Sequence, residues 1–112
     1  MRRLILIAAM AATTTAHAEF RTGNRLLNEI NSDSPFANGL ALGYIMAATD
    51  AGYGTNHCPP QEVTSGQIQD MVKKTLTDAP AVRHIAADAL IYYVLKTAWP
   101  CANKPKNSGS NL

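Results

Sequence analysis

Residues 58–101 read CPPQEVTSGQIQDMVKKTLTDAPAVRHIAADALIYYVLKTAWPC, and this stretch decides the fold. It holds two helical patterns between Cys58 and Cys101, the only two cysteines of the 112-residue chain. Thr64 followed by Gln67 is a capping box, which marks a helix start. Ile68, Met71, Val72, Thr75 and Leu76 then recur at helical spacing as one apolar stripe. Asp70, Lys73 and Lys74 cover the wet face. Asp78, Ala79 and Pro80 break the pattern, and Pro80 opens the next helix. There Val82, Ile85, Ala86, Ala89, Leu90 and Tyr93 form the inner stripe. From 90 to 95 that helix is apolar on every side, the pattern of a helix buried on every side. In a small domain such burial requires the other helices to wrap it or a second chain to cover it. The second option is a homodimer. Pro100 stops the helix, and Cys101 returns its end to Cys58.

The fate of the two thiols depends on the compartment, which the N-terminus indicates. Met1, Arg2 and Arg3 are a basic lead, residues 4–12 a short apolar run, and Ala16, His17 and Ala18 a small-x-small site. Together they read as a secretory signal peptide over residues 1–18, cleaved after Ala18. The run is shorter than the roughly 20 residues that span a bilayer, so no stable membrane anchor is expected after cleavage. No cysteine follows Ala18, so a lipoprotein anchor has no support. In an oxidising, periplasmic space Cys58 and Cys101 are expected to pair. A zinc site would need two more ligands, and only His57 and His84 remain beyond Ala18, without close CxxC or HxxxH spacing. No metal or other cofactor is expected. The loop closed by the pair spans about 44 residues, which loop entropy converts into about 4 kcal/mol of stabilisation in the chain-entropy model.

Charge excludes some partners. The net charge of +2 comes from Arg2 and Arg3; without them the ten basic residues fall level with the eight acidic ones. The domain over residues 19–101 then carries no basic field for nucleic acid and no polybasic membrane signal.

Two further helices precede Cys58. Thr22 caps the first, over residues 23–31, with Leu26, Leu27 and Ile30 inward. Ser34 caps the second and Pro35 takes its first position. It runs to about residue 51, with Gly39 and Gly43 on one face. Glycine weakens a helix by up to about 1 kcal/mol relative to alanine, so the pair predicts close packing against another helix. Gly52, Tyr53 and Gly54 end the helix, and a loop follows that presents Tyr53, Asn56 and His57. These are candidate partner contacts. A loop simply tethered by Cys58 accounts for the same residues. The turn holding Asp78, Arg83 and His84 is a second candidate surface, although two helix ends and a solvated charge explain it more simply. His84 and Asp88 lie four apart and form a structural pair more readily than a catalytic one. Residues 102–112, rich in Lys, Asn, Ser and Gly, read as a disordered tail. The sequence thus predicts a small all-α bundle of about four helices with one disulfide.

Several ordered motifs carry a resemblance that covers nearly all of the chain beyond Ala18. They are Gly23-Asn24-x-Leu26-Leu27, Gly43-Tyr44-Ile45 with Asp50-Ala51, and Cys58-x-Pro60. Val63-Thr64-x-Gly66-Gln67, Pro80-x-x-Arg83-His84-x-x-Ala87 and Ala98-Trp99-Pro100-Cys101 follow. This chain resembles the Rap/Tai family, immunity proteins against peptidoglycan amidase effectors of type VI secretion. The resemblance implies a periplasmic helical dimer that binds an amidase and blocks its substrate groove with a protruding loop. Shape, buried area and exclusion of substrate would then suffice, with no enzymatic chemistry. The family pattern adds another cysteine pair, whose places are held here by residues 28–31, without a thiol, and by Ala41. That departure implies a looser first helix.

Two other classes remain. A periplasmic acid-stress chaperone of the HdeA type is also small, helical and disulfide-linked, and would expose apolar surface as carboxylates protonate. Only eight acidic residues make this less natural. A small enzyme would need a site, for which His57, His84 and Asp88 are the available groups.

Overall fold

The computed structural model describes residues 20–102. The signal peptide read at residues 1–18, its cleavage at Ala18, and the tail beyond Ala102 lie outside the described residues. Four α-helices form: α1 (Gly23–Ile30), α2 (Pro35–Gly52), α3 (Ser65–Asp78) and α4 (Ala87–Ala98), with a 3-10 turn at Pro80–Val82. None of them is long and apolar enough to cross a membrane.

The first three helices start where side chains can satisfy free backbone donors. The Thr22 hydroxyl accepts from Arg25 N–H, and Ser34 accepts from Ala37 N–H, both at 3.3 Å. Thr64 and Gln67 form the reciprocal capping box at 2.8 and 3.2 Å. Each helix turns one stripe inward. Leu26, Leu27 and Ile30 of α1 meet Ala41 and Ile45 of α2 and Ile68, Val72 and Leu76 of α3. Ala87, Leu90, Ile91, Val94 and Leu95 of α4 complete the core. The disulfide joins Cys58 to Cys101 with a Cα–Cα distance of 4.9 Å.

The last helix departs from its sequence pattern. It starts at Ala87 rather than Pro80. The cause is a competing set of hydrogen bonds. The first amides of α1 lack intrahelical acceptors, and Gly23 and Asn24 donate to the carbonyls of Ile85 (3.0 Å) and Arg83 (2.8 Å). Ala87 N–H donates outward to Arg21 O at 2.7 Å. Backbone groups that would continue a helix through residues 83–87 are thus taken up by the start of α1. The expected inner stripe holds only in part: Leu90 is buried and Ala86 half-buried, but Ala89 is exposed. Val82 (36% exposed), Ile85 (39%) and Tyr93 (65%) face outward, and the run over 90–95 is buried on one side only.

This junction depends on Gly23. A Cβ there would lie 2.6 Å from Leu90 Cδ1 and 2.9 Å from the Arg83 carbonyl oxygen. Backbone on one side and core on the other leave little room to yield. Gly23→Ala is expected to destabilise by about 2 kcal/mol, lowering the melting temperature by about 8–16 °C. Thermal unfolding followed by circular dichroism checks it; an unchanged midpoint would contradict this packing.

The glycines of α2 show the opposite. A Cβ on Gly39 or Gly43 would meet nothing within 4 Å, so close packing against another helix of this chain is not what they serve. They lie on an exposed face with Phe36 (76% exposed) and Leu40 (41%). Gly39→Ala and Gly43→Ala are each expected to stabilise the isolated chain by up to about 1 kcal/mol, because alanine restricts the helix less unfavourably. A fall in melting temperature for either would show that the face is already covered.

Candidate functional site

The loop after α2 folds back on a single carbonyl. Gly52 O accepts from the N–H groups of Thr55 (3.2 Å), Asn56 (2.9 Å) and His57 (3.3 Å), and from the Thr55 hydroxyl (3.3 Å). Gly54 closes the inner turn with φ +82°, a backbone region that favours glycine, and donates to His57 O at 2.9 Å. Cys58 N–H donates to Trp99 O at 2.8 Å beside the disulfide. The outcome is a tight knuckle with Tyr53 57% exposed and Gly54 and Thr55 in solvent.

His57 is a correction to the exposed-loop reading: its ring is fully buried. Its Nε2 lies 2.7 Å from Thr49 O, and its Nδ1 lies 2.8 Å from Asn56 Nδ2. A carbonyl only accepts, so Nε2 carries the proton and Nδ1 accepts from the amide. Asn56 Nδ2 has a second hydrogen, which it donates to Tyr92 O at 3.0 Å. Both contacts agree on the amide's orientation. The Tyr92 ring meets the imidazole edge-on, with centroids 5.6 Å apart. Space for the imidazole exists because residue 52 is glycine: a Cβ there would lie 2.5 Å from His57 Cε1. Of the three loop residues marked in the sequence, Tyr53 is presented, Asn56 is half-buried behind it, and His57 lies inside.

The second candidate surface is more open. Asp78 ends α3 and pairs with Lys74 at 2.6 Å, both well exposed. Hydrogen bonding to that carboxylate raises the Lys74 pKa. Arg83 is half-buried with its carbonyl on Asn24, and His84 is exposed. His84 precedes α4, so it and Asp88 are not helical neighbours; Asp88 Oδ1 instead accepts from Ala89 N–H at 2.8 Å. Beside this turn runs an apolar groove of about 500 Å³, walled by Ala79, Val82, Ile85, Ala89 and Tyr93. Val82, Ile85, Ala89 and Tyr93 belong to the expected inner stripe, because a helix starting at Pro80 would turn them inward. No hydrogen bond or ion pair joins the two surfaces among the described residues. The knuckle is fastened to α4 through Tyr92 and to Trp99 just beyond its end.

A charged cluster sits near α1. Glu29 holds Arg21 with both oxygens at 3.2 Å and Arg25 at 3.0 Å. Arg21 lies over the Tyr44 ring at 4.9 Å. Burial pushes the Tyr44 hydroxyl pKa up, and the nearby Asp88 carboxylate adds to the shift. Among the described residues no group of three or more His, Cys, Asp or Glu is arranged to hold a metal.

The arrangement is a hydrogen-bonded loop on a disulfide-closed helical scaffold. Residues 22–101 match the model of the Rap1a immunity proteins, and the chain belongs to that family. That membership makes it an immunity protein of type VI effectors, in agreement with the Rap/Tai resemblance of the sequence motifs. No curated protein matches the chain.

Proposed function

We propose that this chain is a periplasmic immunity protein that binds a peptidoglycan amidase effector of type VI secretion and blocks its substrate groove. Tyr53, more than half exposed at the edge of a knuckle tied to α2 and α4 by hydrogen bonds of His57 and Asn56, is the observation that carries the proposal. An aromatic side chain supplies a large contact area with few rotors, and a loop already ordered loses little entropy on docking. Occlusion needs no catalysis from the immunity protein, so the proposal includes that it is not an enzyme. Asp78, Arg83 and His84 form the second proposed contact, next to the apolar groove. A homodimer in which a second copy covers the exposed Tyr93 face belongs to the same proposal. Export by the signal peptide and cleavage after Ala18 would deliver the chain to where the amidase acts. The disulfide is consistent with that location.

The experiment is a panel of purified type VI amidase effectors, each mixed with the chain and assayed for peptidoglycan cleavage. Stoichiometric complex formation with loss of cleavage for at least one amidase is expected. Failure to bind or inhibit any of them overturns the proposal. The acid-stress chaperone remains the alternative, and family membership ranks it lower. Strong reversible dye binding at about pH 2–3, with protection of client proteins, would favour it instead.

A further inference from the structure

Resting on the reading of Tyr53 as a partner contact, we propose that Asn56 and His57 are positioning residues that preset the knuckle. Neither needs to touch the partner. Their role follows from a chain of buried and half-buried contacts. Asn56 uses both hydrogens of one amide nitrogen, bridging the imidazole of its own loop to the Tyr92 carbonyl in α4. The imidazole passes the restraint on to the Thr49 carbonyl in α2. One side-chain pair therefore links the loop to two helices that are far apart in sequence. Gly52 serves the same device twice. Its carbonyl gathers four donors from the loop, and its missing side chain admits the ring.

This linkage holds the loop only while the imidazole is neutral and protonated on Nε2. The other tautomer would set an N–H against the Asn56 amide hydrogens and leave the Thr49 carbonyl without its donor. The resting state therefore has one tautomer, which nitrogen chemical shifts report directly. Thr49 and Gly52 from α2, Asn56 from the loop, and Tyr92 from α4 face the ring. None of them brings a formal charge in its ordinary state at neutral pH. The consequence for binding is kinetic: a preset knuckle dissociates slowly, and a loosened one dissociates faster.

The test uses the full chain, as Asn56→Ala and Asn56→Asp. Asn56→Ala removes both bonds. Asn56→Asp keeps the side-chain shape, removes both donors and turns a carboxylate toward the Tyr92 carbonyl. Nitrogen NMR of the unaltered chain should show His57 with Nε2 protonated and Nδ1 accepting. In each variant, hydrogen exchange of the Gly54 and His57 amides should accelerate by about tenfold or more, while Ile45 in the core of α2 stays protected. The dissociation rate from the amidase that the unaltered chain retains in the panel above should rise by about tenfold. Unchanged exchange at Gly54 and His57, or equal acceleration at Ile45, overturns the positioning role. So does a loosened loop that leaves dissociation unaltered. If Tyr53→Ala binds as well as the unaltered chain, or if no amidase is retained, the underlying reading fails, whatever the exchange result. If Tyr53→Ala weakens binding and the Asn56 variants do not, only the positioning role fails.

Discussion

Replacing both Cys58 and Cys101 by alanine is expected to lower stability by up to about 4 kcal/mol and the melting temperature by about 15–30 °C. The bond closes a separation of 43 residues that includes α3 and α4. Its removal restores a long, open loop to the unfolded chain while leaving the helix contacts of the folded one in place. The effect is large against the 5–15 kcal/mol that a whole domain usually holds in reserve. It also has a local part. Cys58 follows directly on the buried His57 and donates to Trp99 O, so the bond fixes one end of the knuckle to the end of α4. Reduction should therefore raise hydrogen exchange in residues 53–58 before the core opens. Equal melting temperatures for oxidised and reduced chains would contradict this account of the bond.

Tyr53→Ala is expected to weaken amidase binding by about 30-fold or more, the loss of a central aromatic contact worth about 2 kcal/mol. Stability should hardly change, because the side chain is 57% exposed and caps no buried donor. The contrast between the two measurements is the informative part. A residue that only completed the loop would lower both. Titration calorimetry beside thermal unfolding separates them. Equal affinity for Tyr53→Ala and the unaltered chain would place the contact elsewhere, and the 78–84 turn with its apolar groove would be the next surface to alter.

The parts of the fold legible in the sequence are those whose cause is local. Thr22, Ser34 with Pro35, and Thr64 with Gln67 lie within a turn of the donors they satisfy, so three helix starts can be read directly. The stripe Ile68, Val72 and Leu76 is likewise a repeat within one helix. The start of α4 is not local. The acceptors of Arg83 and Ile85 are claimed by Gly23 and Asn24, some sixty positions earlier, and no pattern around Pro80 records that. The same shift turned Val82, Ile85 and Tyr93 from expected core into exposed surface. The loop shows the converse error. A polar stretch with a histidine looks solvated, yet His57 is buried because Thr49 O and Asn56 satisfy both ring nitrogens. Gly52 carried a trace of this. It reads as a helix-ending glycine, and its second duty, making room for the ring, depends on a folded loop. Gly39 and Gly43 invite the reverse mistake, since helical glycine pairs imply contact and here face open space.

We propose that the Tyr53 knuckle enters the amidase groove. A photo-crosslinking residue substituted for Tyr53, with the crosslinked amidase peptides identified by mass spectrometry, tests it most directly. The account predicts crosslinks to the walls of the amidase's catalytic groove, lost when soluble peptidoglycan fragments are added in excess. Crosslinks confined to an amidase surface away from the groove, unaffected by those fragments, would contradict it.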